Sequence, residues 1–260
     1  MRIQVCVPTY SKTDKDIINL YHFLNLSTDA LFSVQKSDKD YIKEIEIDNH
    51  KVKIVYLTST GVSKNRNSLL DNATGDIIIN TDDDCPLVDH YDRLVLDTYN
   101  KHKDAVAIYF NGIWVTHDNK LVTNKRSKRI TKFSDISFAG APGLTYKRES
   151  FNKYNLRFKE DIGYPNYICA GEDSCFYYDI VKSKIIFYRE KSILFKVIID
   201  ETNSSYYKGI NEQYVVTRGY ITRLLHPRLF RLYMWRHIIR FHRKDKSLSY
   251  RQLRDWMLEG

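Results

Sequence analysis

The chain has 260 residues, 43% of them hydrophobic, which suits one large α/β domain or two small ones and excludes a disordered chain. Its four cysteines, Cys6, Cys85, Cys169 and Cys175, form no C-x-x-C pair and imply no disulfide framework, so reduced thiols and a cytoplasmic setting are expected. The net charge of +9 is concentrated at one end: from Arg218 onward eleven Lys/Arg stand against only Asp245, Asp255 and Glu259. The body is therefore nearly neutral. That argues against nucleic-acid binding by the body and for an anionic partner of the tail. The opening MRIQVCVPTY is too short, and too soon broken by Pro8, for a signal peptide. No stretch approaches the roughly 18 apolar residues that span a bilayer.

In chain order, Arg2 to Val7 predicts a first strand that stops at Pro8, followed by the loop Pro8-Thr9-Tyr10-Ser11. A helix beginning near Asp14 carries Ile17, Ile18, Tyr21 and Leu24 on one face. Ala30 to Gln35 predicts a second strand, Lys36 to Asn49 a charged connecting element, and Val52 to Leu57 a third strand. In GVSKNRNSLLDNATGD, Gly61 permits a tight turn, Ser63 is an N-cap by residue type, and Leu69, Leu70 and Ala73 form the buried face. Gly75 is placed to stop that helix. Lys64, Asn65 and Arg66 occupy its first turn, where cations oppose the helix dipole by about 0.3–1 kcal/mol each. A bound anion such as phosphate relieves that conflict, and so does solvent.

The next stretch, DIIINTDDDC, orders the rest of the chain. Ile77, Ile78 and Ile79 read as a buried strand of an α/β sheet, and it runs straight into Asp82, Asp83 and Asp84. Acids at the carboxyl end of such a strand lie where open sheets bind ligands. A hard divalent cation, Mg²⁺ or Mn²⁺, stabilises three adjacent carboxylates; a solvated acidic turn has the same composition.

Val88 to His102 then predicts a helix, Ala105 to Phe110 a strand, and Ile113 to Val122 a hairpin around Asp118-Asn119. Lys125 to Lys132 reads as a solvated basic loop. Gly140-Ala141-Pro142-Gly143 breaks the chain and lets backbone approach a ligand, and Thr145 to Tyr154 begins the next element. Gly171 precedes a helix with Glu172 and Asp173 in its first turn and Phe176, Tyr177, Ile180 and Val181 on its apolar face. Lys184 to Tyr188 and Ser192 to Ile199 predict the last two strands of the body.

A cation site, a basic helix start and a separate acid pair make the set needed for displacement at a sugar anomeric carbon. The metal neutralises a departing diphosphate, and a carboxylate takes the proton of the attacking hydroxyl. At this point the chain resembles the inverting glycosyltransferases of family 2. The likeness rests on PTY near the N-terminus, GVSKNRN before the D-D-D strand, GED opening a later helix, and ETNSSYYKGINEQYVVTRGY followed by LLHPRLFRLY. It covers roughly residues 1–235 and is greatest to bacterial enzymes that build capsule, exopolysaccharide or lipopolysaccharide glycans. The resemblance implies a GT-A fold, with a mixed, mostly parallel sheet flanked by helices. The catalytic domain would be 1–217, with a basic helical extension at 218–260. It further implies that Pro8, Thr9 and Tyr10 line the nucleotide site, with Lys64, Asn65 and Arg66 near base or phosphates. Asp82 and Asp83 would lie on the nucleotide-sugar, Asp84 with Asp82 on Mn²⁺ or Mg²⁺. Asp173 would be the general base, with Glu172 beside it. Where many members carry an acidic pair after the second strand, this chain reads Val34-Gln35-Lys36-Ser37-Asp38, which leaves Gln35 for a uracil edge. His117 and His226 are candidates for a third metal ligand by residue type alone.

In the tail, PRLFRLYMWRHIIRFHRK puts Phe230, Met234, Ile238 and Phe241 on one helical face, with Arg228, Arg236, Arg240 and Arg243 opposite. That pattern fits a helix lying on anionic lipid at the inner face of the cell membrane, and also a terminal helix docked on the body. The expected donor is a nucleotide-sugar, UDP-linked, and the acceptor a glycan or lipid-linked saccharide. A sugar nucleotidyltransferase is a rival, although PTYSKTD lacks the glycines of a triphosphate loop. A non-catalytic subunit of a glycan-assembly complex is another.

Overall fold

The computed structural model describes residues 1–115, 121–122, 126–137, 139–198 and 209–260. The first half is a β/α alternation: β1 (Ile3–Tyr10), α1 (Asp14–Phe23), β2 (Asp29–Gln35), β3 (Tyr41–Ile47), β4 (His50–Leu57), α2 (Val62–Asn72), β5 (Ile77–Asn80) and α3 (Tyr91–Lys101). The second half adds β6 (Ala107–Val115), β7 (Leu121–Val122), β8 (Lys128–Arg129), β9 (Leu144–Lys147), α4 (Arg148–Asn152), α5 (Glu172–Lys182) and β10 (Phe187–Ile198). Three helices close the chain: α6 (Glu212–Leu225), α7 (Phe230–Lys244) and α8 (Tyr250–Glu259).

One mixed sheet runs β3-β4-β2-β1-β5-β9-β6-β10-β8, with β7 pairing β6. β4, β2, β1 and β5 are mutually parallel, and β9 enters antiparallel between β5 and β6. The period of two along the strands feeds two cores. Val5, Val7 and Ile79 face Ile17, Tyr21, Tyr91 and Val95. Cys6, Leu31 and Ile78 face Leu69, Phe176 and Tyr177 on the other side. From β1 the chain turns to β2 on one side and later returns to β5 on the other. The strand order therefore reverses beside β1, and that crevice is where an open α/β sheet binds ligands.

Several local expectations change. β1 continues past Pro8 to Tyr10, because its β5 ladder ends at Cys6 and a proline beyond that point costs no ladder bond on that side. The segment Lys36–Asn49 holds an edge strand, β3, not merely a connection. Asp48 and Asn49 both take positive φ, 51° and 63°, as a two-residue hairpin turn requires. Ile18 is exposed at 40% instead of buried. The N-cap of α2 is Gly61, at φ 134°, not Ser63, whose hydroxyl donates to the Ile162 carbonyl. Gly75 does not cap that helix, which ends at Asn72; a Cβ there would lie 2.6 Å from Cβ of Gln4. α3 starts at Tyr91, three residues after the expected Val88. Within the supposed basic loop, Lys128 and Arg129 pair with Arg189 and Tyr188 as a short edge strand. The two last predicted strands are one, β10, whose register against β6 shifts between Arg189 and Phe195. The β6–β7 hairpin is present, while its Asp118-Asn119 turn lies outside the described residues.

The tail folds back on itself. Met234, Ile238 and Phe241, the face a helical wheel offers to lipid, pack on Val215 of α6 and on Leu253 and Met257 of α8. The division at 217/218 falls inside α6, whose Ile221 and Leu225 pack against Ile162 and Cys175 of the body. No helix among the described residues is long and apolar enough to cross a membrane.

Candidate active site

Four chain segments converge at the carboxyl edge of β1 and β5. β1 brings Thr9 and Tyr10, the turn after β5 brings Asp82 to Asp84, and the first turns of α2 and α5 bring Asn65, Arg66, Glu172 and Asp173. Much of the polar side of α2 is turned inward. Ser63, Asn65, Arg66 and Asn67 are all buried, because each has a fixed partner. Asn65 Nδ2 donates to the Thr9 carbonyl at 3.0 Å, and Asn67 Nδ2 donates to the Phe158 carbonyl at 3.0 Å.

Arg66 is the centre of the site. One terminal nitrogen donates to Glu172 Oε1 at 3.0 Å and to Asp173 Oδ1 at 2.7 Å; the other lies 3.5 Å from Asp82 Oδ1. The guanidinium is 5.5 Å from the Phe158 ring centroid and only 8% of the residue is exposed. One side chain thus bridges the two acidic places 90 residues apart in sequence. Lys64, in the same turn, is exposed, so the cationic first turn is split between solvent and the chain's own carboxylates. Arg66 Nε and Asn65 Oδ1 are buried with no hydrogen-bond partner, two polar atoms in this crevice that the protein itself leaves unpaired.

The acids differ in surroundings. Burial, more than the repulsion of Glu172 and Asp82, pushes the Asp173 carboxyl up from the usual range, against the pull of Arg66 and of the Ala141 N–H, 3.2 Å from Oδ2. Burial also raises Asp82 and Asp83; Thr9 Oγ1 donates to Asp83 Oδ2 at 2.6 Å and works against the rise. A carboxylate held above its ordinary pKa is a stronger base when ionised. The close backbone of Ala141 belongs to the Gly140–Gly143 break, and Tyr177 of α5 fixes that segment by donating to the Gly140 carbonyl at 2.9 Å. Pro8, Arg66, Asp82, Ala141, Phe158 and Asp173 line a narrow recess between them.

Asp82, Asp84 and Cys85 bring their ligand atoms within 4.8 Å of one another, a group that can hold a metal ion. Burial pushes the Cys85 thiol up, and it donates to Asp84 Oδ1 at 3.1 Å, while Asp82 and Asp84 supply carboxylate oxygens. That donor set fits a hard divalent cation. Of the histidine candidates, His226 stacks on Tyr233 at 4.2 Å, and His117 lies outside the described residues. Gln35 reaches the site's rim, where Oε1 accepts from Gly61 N at 2.7 Å. Tyr10 is 45% exposed at the same rim, with Lys36 Nζ 5.3 Å from its ring centroid.

The break at Gly140–Gly143 pointed to the Ala141 N–H. Sequence reasoning missed Cys85, Phe158 and Tyr177 as site residues: Phe158 lies on no motif, and the other two read as small or apolar neighbours of one.

No curated protein matches the chain. Solved structures do match. S. aureus TarS 1-349 superposes with a TM-score of 0.63 at 13% identity, over 99% of this chain and 90% of that one. The same protein in complex with UDP-GlcNAc gives 0.62 at 14%, over 86% of this chain and 65% of that one. S. aureus TarS gives 0.57 at 13%, over 87% of this chain and 40% of that one, so this chain spans well under half of that longer one. At these identities the likeness is one of fold, and it is the GT-A fold. Residues 5–156, more than half of the chain, match the family described as Glycosyl transferase family 2, and the chain belongs to that family.

Proposed function

We propose that this chain transfers a sugar from a UDP-linked nucleotide-sugar to a hydroxyl of a growing cell-surface glycan, with inversion at the anomeric carbon. The observation that carries the proposal is the Arg66 bridge, which brings Asp82 within 3.5 Å and Asp173 within 2.7 Å of one guanidinium. The carboxylate expected to face the donor diphosphate and the one expected to face the acceptor hydroxyl are thereby held at a single guanidinium. The UDP-GlcNAc complex of the TarS fold supports the choice of donor class.

In this reading Asp173 takes the proton from the acceptor hydroxyl as its oxygen attacks the anomeric carbon, and the carbon–oxygen bond to the diphosphate breaks on the opposite side. Its raised basicity suits that task. Glu172 lies on the acceptor side of the same helix start. Asp84 and Asp82 would hold Mg²⁺ or Mn²⁺, which when bound offsets charge on the diphosphate. Arg66 and the unpaired Asn65 Oδ1 are placed for the donor, and Arg66 can exchange a carboxylate for a phosphate oxygen at little cost in hydrogen bonds. Thr9 holds Asp83, while Pro8, Tyr10, Gln35 and Lys64 shape the nucleotide rim. The body together with α6 does the chemistry, and the exposed side of α7 serves a surface role. Exposed Leu229, Leu232, Trp235 and Ile239 among exposed arginines support a seat on an anionic membrane, where a lipid-linked acceptor resides.

The direct test is a thermal-shift screen of nucleotide-sugars with and without Mn²⁺. A ligand that prefers the native state raises the melting point. The proposal expects a metal-dependent rise with UDP-sugars. A rise only with nucleoside triphosphates, and release of pyrophosphate with sugar phosphates, would favour a nucleotidyltransferase instead.

A further inference from the structure

Away from the crevice, α6 and α7 enclose a second recess of about 160 Å³, lined by Ile210, Tyr214, Arg218, His237, Arg240, Phe241 and Lys244. Its volume is several times the roughly 30 Å³ share of one liquid water. Among the described residues that line it, Arg218, Arg240 and Lys244 are cationic and none is acidic. No salt bridge among the described residues engages Arg218, Arg240 or Lys244. Elsewhere the fold does pair its inward cations, as at Arg66 with Asp82, Glu172 and Asp173.

The cations are also positioned. Arg218 lies over the Tyr214 ring, 5.2 Å from its centroid, and its Nε is 3.4 Å from the Tyr214 hydroxyl, which leaves the terminal nitrogens to form a fork. His237, Arg240 and Lys244 follow at spacings of three and four residues, one stripe of α7 directed at Arg218. The apolar side of the stripe, Phe241, is anchored in the α6–α8 core. His237 registers the resulting field: burial, then Arg218, Arg240 and Arg236, push its imidazole down to about 4.

We propose that this recess is an anion site that binds a phosphate group, separate from the catalytic crevice and independent of how that crevice is read. A guanidinium fork, a second arginine and an ammonium around a cavity of this size match the oxygens of a phosphate monoester or diester. The shared chemistry is the phosphate; it arrives either free or on a lipid headgroup.

The test uses the full chain and two double variants of equal charge. In Arg240→Gln/Lys244→Gln the exposed half of the site is removed. In Lys153→Gln/Lys182→Gln two exposed cations of the body, far along the chain from the recess, are removed. Calorimetric titration with inorganic phosphate forms one arm. Flotation with vesicles of phosphatidylcholine, with or without phosphatidic acid, forms the other. The proposal expects at least tenfold weaker binding in Arg240→Gln/Lys244→Gln and a change under twofold in Lys153→Gln/Lys182→Gln. Binding in the first arm marks a free phosphate; binding only to vesicles that carry phosphatidic acid marks a headgroup. Equal losses in the two variants would mean diffuse charge attraction, and no loss in either would mean no site; both results overturn the proposal.

Discussion

Arg66 shows how few side chains hold the crevice together. It is buried among three carboxylates, and each of those is partly shielded from water. Removing one partner of a buried ionic group leaves uncompensated charge, and the general cost is about 3–5 kcal/mol. Because Asp82 and Asp173 keep some solvent contact, Arg66→Gln is expected near the low end, about 3 kcal/mol in urea unfolding. A loss under about 1 kcal/mol would show that the carboxylates simply rehydrate. Arg66→Lys is not expected to restore what is lost, because a point charge cannot bridge two acids in the way a planar fork does. Asp173 makes a prediction in pH. Its carboxyl is held above the usual range by burial, and below that raised pKa it carries a proton and cannot accept another. Turnover should therefore fall with falling pH at values well above about 3.9, the ordinary aspartate pKa. A pH–rate profile flat down to that value would remove Asp173 from the role.

At the level of elements, the strands were legible as short apolar runs bounded by turn residues. Val5 and Val7 against Cys6, and Ile77 to Ile79 before the aspartates, mark the sheet and its carboxyl edge with little ambiguity. The acid pair was legible in the same way, since Gly171 and the apolar stripe after it fix where α5 starts. What the sequence concealed has a physical cause in each case. β3 was hidden by its charges, which an edge strand exposes. The cap of α2 was misread because Ser63 is spent on a contact 99 residues away, and no local pattern encodes that. The face of α7 was legible as a stripe, but a stripe fits a helical neighbour as well as a bilayer. Val215 of α6 and Leu253 and Met257 of α8 take that face, and α6 and α8 also pack on each other. A Cβ on Gly219 would lie 2.3 Å from the Met257 backbone carbonyl oxygen, a contact that leaves no room for a methyl group. Gly219→Ala is expected to destabilise by about 1–3 kcal/mol through overpacking, read as a shift of the urea midpoint. An unchanged midpoint would mean that α6 and α8 are not packed this closely.

For the whole molecule, the basic helices are structurally continuous with the catalytic body. Gly171, which starts the helix bearing Glu172 and Asp173, has Ile221 of α6 where a Cβ would be, 2.7 Å away. The Cys169 N–H donates to Thr217 Oγ1 at 3.3 Å. α6 therefore supports the acid pair from behind, and α7 and α8 in turn cover α6. Deleting residues 228–260 uncovers Val215 and the Gly219 surface, so the melting temperature should fall by several degrees even for a variant that still binds donor. A melting temperature equal to that of the full chain would show the tail to be an independent appendage.

Asp173, held by Arg66 opposite Asp82, is proposed as the base of a sugar transfer. Its sharpest test is a paired measurement on Asp173→Asn: affinity for a UDP-sugar in the presence of Mn²⁺, and transfer to a glycan acceptor. Donor affinity should stay within a few-fold of the parent chain while transfer falls by at least about a hundredfold, the scale of a lost general base. Transfer at the parental rate with affinity intact would contradict that role.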